Sequence, residues 1–140
     1  MTLTVALIVF PGVQALDVTG PMDVFAEANA FLAPDKQYRL DVLGLESGLL
    51  RCSNGLSIQA HRHFSAAPDS YDLVLCAGGP ALPGQDFGAE FYTWLRGICR
   101  RSRRYGSICN GALMLARTGL LDGRRVTTHW SDVAALARLC

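Results

Sequence analysis

No run of apolar residues in this chain is long enough to cross a membrane. The longest, Val5–Phe10 and Leu73–Ala77, are strand-sized, so no membrane span is expected. Charge is scarce and balanced: 18% of residues are charged and the net charge is +1. That leaves no electrostatic footprint for nucleic acid on the chain as a whole. The five cysteines form an odd set with no Cys-x-x-Cys spacing, which argues against a disulfide framework or a zinc site. Met1-Thr-Leu-Thr-Val lacks the basic start and small-residue cleavage site of a secretory signal. A reducing cytoplasm is the expected location. There is no internal repeat, low-complexity tract or linker. What remains is a 140-residue chain, half of it hydrophobic, which predicts one globular domain with a well-buried core.

Hydrophobic patterning predicts alternating strands and helices. Leu3–Phe10 is a continuous apolar run, as expected for a strand buried on both faces, and Pro11-Gly12 ends it. Gly20-Pro21 reads as a helix start with Thr19 as cap, and Met22, Phe25, Ala28 and Leu32 supply an apolar stripe. Tyr38–Leu45 alternates as a strand. Arg51–Asn54 and Leu56–Ala60 read as a hairpin around Asn54-Gly55. Asp72–Ala77 is another buried strand, broken by Gly78-Gly79-Pro80. Gln85–Arg101 has helical spacing in Phe87, Phe91, Trp94, Leu95 and Ile98. A turn at Cys109 leads into a helix to about Thr118, and Gly119–Gly123 is a loop. Arg124–Thr127 reads as a short strand, and Ser131 caps a last helix to about Leu139. The alternation predicts an α/β fold with a mostly parallel sheet.

The segment Tyr105-Gly-Ser-Ile-Cys-Asn-Gly-Ala112 carries the most chemistry. Apolar, strand-like residues lead in, small residues flank Cys109, and Ala112–Ala116 is helix-forming. A sharp strand-to-helix turn exposes one nucleophile at the top of a sheet. A helix N-terminus there favours the thiolate. In open α/β sheets, sites gather beyond the C-terminal ends of the strands. That rule brings together the Pro11–Asp17 loop, the Ala77–Pro83 loop, the Cys109 turn and His129. Two weaker signals are set aside. His61-Arg-His63 is too small for a metal site, and Arg100–Arg104 reads as a solvated helix end whose cations suit the dipole.

Four segments in fixed order carry a family resemblance. They are Ala15-Leu-Asp-Val-Thr-Gly-Pro-Met-Asp-Val-Phe25, Cys-Ala-Gly-Gly-Pro at 76–80, the Cys109 turn, and Gly119-Leu-Leu-Asp-Gly-Arg-Arg-Val-Thr-Thr-His-Trp130. Together they resemble the ThiJ/PfpI superfamily, and within it the N-terminal domain of AraC-type transcriptional regulators. A sister branch contains isonitrile hydratases. The resemblance implies a flavodoxin-like three-layer sandwich of the class I glutamine-amidotransferase type, with a nucleophile elbow, over residues 1–140. It also implies further strands and helices after the His-Trp segment, so the domain is expected to be C-terminally incomplete. Apolar surface on the Leu73–Ala77 and Val126 strands is then expected to lie partly uncovered, and the chain to form a homodimer.

The resemblance places Asp17 against the thiol, where a protonated carboxyl donates to a thiolate. It brings His129 near Cys109. Gly78 and Gly79 form a tight turn, and the N–H groups of Gly79 and Asn110, with Gly111 beyond, are expected to hold an anion beside the sulfur. Asn110 replaces the Thr common in the resembling relatives, which alters pocket size and hydrogen bonding. Neither metal nor cofactor is implied. The function implied first is a small-molecule effector-sensing and dimerisation domain, with DNA bound only through a separate helix-turn-helix domain. The alternative is a cysteine-dependent enzyme, an isonitrile hydratase or amidase-like hydrolase with Cys109 as nucleophile. Glutamine-amidotransferase activity ranks last, because no histidine–carboxylate pair follows His129.

Overall fold

The structure is a computed structural model describing residues 1–140. Its strands are β1 (Leu3–Val9), β2 (Tyr38–Gly44), β3 (Leu49–Arg51), β4 (Ser57–Gln59), β5 (Arg62–His63), β6 (Leu73–Cys76) and β7 (Arg104–Ser107). Its helices are α1 (Ala15–Asn29), α2 (Ala89–Arg101), α3 (Ala112–Ala116) and α4 (Val133–Ala137). Five strands form one parallel sheet in the order β5-β2-β1-β6-β7. The β3–β4 hairpin stands apart from it. This is the mostly parallel α/β architecture that the patterning predicts, in the flavodoxin-like form that the resemblance implies.

The strand order follows from burial. β1 is apolar apart from Thr4, and Val5 to Val9 are essentially inaccessible to solvent. Such a strand belongs in the middle of a sheet covered on both faces. It pairs with β2 on one side and β6 on the other. The chain therefore reverses its winding direction at β1, and a crevice opens beyond the C-terminal ends of β1 and β6. Residues 10–17 and 77–80 meet there.

Several boundaries depart from the sequence reading. α1 begins at Ala15, five residues before Gly20, and holds Pro21 inside it. Ala15 and Val18 are buried, and this packing holds the first turn despite a proline in the helix interior. Thr19 is not a cap; its hydroxyl donates back to the Ala15 carbonyl. The hairpin is shorter than predicted but turns at Asn54-Gly55, with Gly55 at φ +89°. α2 starts at Ala89, because Gly88 at φ +86° interrupts the run; Phe87 packs instead against Phe10 and Phe91.

Arg124–Thr127 is not a strand. The backbone groups of residues 125–128 bond to no other backbone, since no partner strand lies alongside. The last helix is divided, with a 3₁₀ turn over Trp130–Asp132 followed by α4. Its cap is His129, whose ring accepts the Ser131 N–H, and not Ser131. β6 is partly covered: Val74 and Cys76 are buried, while Leu73 and Leu75 on its other face are half-buried. Val126 is exposed as expected, and so are Trp130 and Val133 beside it and Leu16 and Val24 of α1. No helix is long and apolar enough to cross a membrane.

Candidate functional site

The site is built around the turn from β7 into α3. Cys109 has φ +52° and is the one non-glycine residue with positive φ. That backbone conformation costs a side-chain-bearing residue on the order of 1 kcal/mol or more, and it persists where the surroundings impose it. The surroundings here are specific. The Ile108 N–H donates to the Cys76 carbonyl (2.9 Å) and the Gly111 N–H to the Ile108 carbonyl (2.9 Å). Gly111 sits so close to β6 that a Cβ there would fall on the carbonyls of Cys76 and Ala77. The elbow is thus pressed against the end of the central sheet, with the Cys109 side chain on the outside. Cys109 is exposed, whereas Cys52, Cys76 and Cys99 are buried.

The glycine turn after β6 forms the second wall. The Gly78 N–H donates to Asp17 Oδ2 (2.9 Å). The Gly79 N–H donates to Asn110 Oδ1 (2.9 Å), and Asn110 Nδ2 donates back to the Gly79 carbonyl (2.9 Å). Gly79 also lies against the Gly12 carbonyl, 2.7 Å from where a Cβ would stand. The same Asn110 Nδ2 donates to Asp132 Oδ2 (3.1 Å), which ties the elbow to the turn before α4. Thr128 adds a second tie, its hydroxyl donating to the Cys109 carbonyl (3.3 Å).

These contacts change the expected electrostatics. The pairing of Gly79 and Asn110 N–H groups as an anion holder is not built. The Gly79 N–H is already taken by the Asn110 side chain. Nor does the helix end leave Cys109 with a lowered pKa. α3 has only five residues, and although the residue as a whole is exposed, partial desolvation of the sulfur against the elbow pushes the thiol above its ordinary value. The Asn110 N–H opposes that shift, while the Asp17 and Asp132 carboxylates add to it. Burial also raises Asp17, against the pull of the Gly78 N–H and of His129.

His129 is half-buried. Its Nδ1 accepts from the Ser131 N–H (3.3 Å) and sits 2.7 Å from the Ser131 hydroxyl. With Nδ1 accepting, Nε2 carries the ring N–H that is left to face the cavity.

A cavity of about 330 Å³ opens over these groups, lined by Gln14, Gly79, Pro80, Cys109, Asn110, His129, Ser131 and Asp132. Cys109, His129, Gly79 and Asn110 therefore meet in one pocket. Asp17, Gly78 and Gly111 do not line it; they form the buried layer that holds the lining in place. Asp132, Gln14 and Ser131 were not found from the sequence. Asp132 lies just past the His-Trp segment, and its one sequence-level signal was the need of a buried Asn110 amide for an acceptor.

No group of three or more His, Cys, Asp or Glu side chains is placed to hold a metal ion. His61 has a structural role, accepting the Val42 N–H (3.0 Å) beside Asp41.

Residues 3–138 match the model of the DJ-1/PfpI family. An uncharacterized Streptomyces lividans protein from the cpoL 5′ region is 40% identical over 97% of this chain and 94% of its own length. An isonitrile hydratase of Pseudomonas putida is 33% identical over 94% of the chain and 54% of its own length. The HTH-type transcriptional regulator GbdR of Pseudomonas aeruginosa is 35% identical over 71% of the chain and 26% of its own length. Among solved structures, an AraC family transcriptional regulator from Pseudomonas putida superposes with a TM-score of 0.81 at 25% identity, over 98% of this chain and 72% of that one. The chain thus spans nearly all of one relative, about half of the hydratase and a quarter of the HTH-type regulator.

Proposed function

The chain belongs to the DJ-1/PfpI family, and from that premise we propose that it is the small-molecule-sensing domain of an AraC-type transcriptional regulator. One observation carries the reading. The Asn110 amide occupies both polar groups of Gly79 and is itself fixed by Asp132. The elbow, the glycine turn and the segment before α4 are thereby joined around one cavity. A ligand entering that cavity touches all three, so its binding free energy couples directly to the position of the C-terminal segment. The regulator relatives support the same reading.

Turnover has less support. The Gly79 N–H that would stabilise an oxyanion is consumed, and the His129 Nδ1 is held by Ser131. In this reading DNA is contacted through a separate helix-turn-helix domain. Two chains associate through exposed apolar residues such as Trp130 and Val133.

A second reading, an isonitrile hydratase, is favoured by the hydratase relative and by the raised Asp17 carboxyl close to the thiol. Incubation of the protein with cyclohexyl isocyanide, with formamide product followed by chromatography, separates the two. The sensing reading expects no turnover that depends on Cys109. Formamide production lost in Cys109→Ala overturns it in favour of the hydratase.

A further inference from the structure

We propose that the Cys109 cavity selects cationic, hydrogen-bond-donating ligands of the ammonium or amidinium class over carboxylates, and that Asp132 sets this preference. The inference deepens the sensing reading and rests on it.

The argument is an inventory of what the cavity leaves free. Several donors are used up, and none of the rest is a cationic side chain of Lys or Arg. The Gly78 N–H goes to Asp17, the Gly79 N–H to Asn110 Oδ1, and the Asn110 Nδ2 to Gly79 and Asp132. The Ser131 N–H points at His129 Nδ1, and the Ser131 hydroxyl lies 2.7 Å from the same nitrogen. The donors left are His129 Nε2–H, the exposed Gln14 amide and the elbow N–H groups of Cys109 and Asn110, none of them charged, and no Lys or Arg lines the cavity.

Acceptors remain. Asp132 uses one carboxylate oxygen on Asn110, and its other oxygen has no partner. The Ser131 oxygen keeps a lone pair, and the Cys109 sulfur is open. A carboxylate ligand would meet the Asp132 carboxylate with no Lys or Arg in the lining to offset the repulsion. An amidinium supplies a planar fork of N–H groups to the free Asp132 oxygen and to Ser131. The electrostatics agree: Asp17 and Asp132 both raise the Cys109 thiol, which marks a negative field at the sulfur. The charged and titratable groups around it are Asp17 from α1, Asp132 before α4, and His129.

Benzamidine, benzamide and benzoate share one shape and differ in charge, which makes them suitable probes. Each is titrated against iodoacetamide labelling of the 140-residue protein. Cys109 is read by peptide mass spectrometry, with exposed Cys140 as internal reference. Benzamidine is expected to half-protect Cys109 at about one tenth of the benzoate concentration, with benzamide between them. In Asp132→Asn the gap should fall to about twofold or less, and in Asp132→Glu it should persist. Circular dichroism establishes that each variant is folded, and the ranking in the unsubstituted protein decides the matter if one is not. Benzoate protecting as well as benzamidine, no probe protecting Cys109 at all, or a gap unchanged in Asp132→Asn each overturns the proposal. Cys109-dependent isonitrile turnover would remove the sensing reading and leave the charge ranking to stand or fall separately.

Discussion

Substituting Gly111 by alanine tests whether the elbow is held by close approach to the sheet. A Cβ at Gly111 meets the carbonyl of Cys76 and, at 2.9 Å, that of Ala77. Neither can retreat easily. Cys76 is paired in the sheet with Ile8 on one side and Ser107 on the other, and its carbonyl also accepts the Ile108 N–H. Overpacking against side chains costs about 1–3 kcal/mol, and rigid backbone puts this clash at the upper end, about 3 kcal/mol. For a domain of this size that lowers Tm by about 10 °C. Gly97→Ala is the internal contrast. Gly97 lies within α2, and its added Cβ meets only the flexible tip of Arg101. There the better helix propensity should raise Tm by about 2–4 °C. Differential scanning calorimetry of the two variants gives the comparison. If Gly111→Ala melts within about 2 °C of the parent protein, the elbow is not braced against β6 as argued.

Two further predictions concern the ionisable groups. Iodoacetamide should label Cys109 and Cys140 in the folded protein and spare Cys52, Cys76 and Cys99 until it is denatured. The labelling rate of Cys109 should rise with pH along a curve displaced above that of an ordinary thiol, and Asp132→Asn should move the curve down; a midpoint below that of a free cysteine peptide would contradict this account. Asp17, whose folded pKa is raised, favours the folded state when protonated and loses that contribution as pH rises through the folded value. Asp17→Asn should therefore melt higher than the parent at pH 7, with the difference closing as pH falls below the ordinary carboxylate range. A difference independent of pH would refute the assignment.

Much of the site was legible before the fold was known. Cys109 stood out because glycines flank it between a strand-like and a helix-like run, and such a turn has few other uses. The glycine pair at 78–79 stood out because backbone crowding is written directly into composition. Helix and strand limits were less legible wherever packing overrode a local signal. Pro21 looked like a helix start, yet Ala15 and Val18 are drawn onto the core and extend α1 backward through the proline. Arg124–Thr127 has strand-like residues but no partner to pair with, and a strand exists only as part of a ladder.

The sequence by itself determined the parallel α/β class, the central place of Leu3–Val9 and the identity of the thiol that the elbow presents. These depend on periodicity and on residue types with narrow backbone preferences, both of which are local properties. The tertiary structure alone decided what surrounds that thiol. Asn110 is one residue from Cys109 in the chain, yet its partners are Gly79 and Asp132, 31 and 22 residues away. Each of those hydrogen bonds withdraws a donor that the local sequence seemed to offer. Hydrogen-bond capacity is finite, and which groups remain free for a ligand is settled only when distant segments meet.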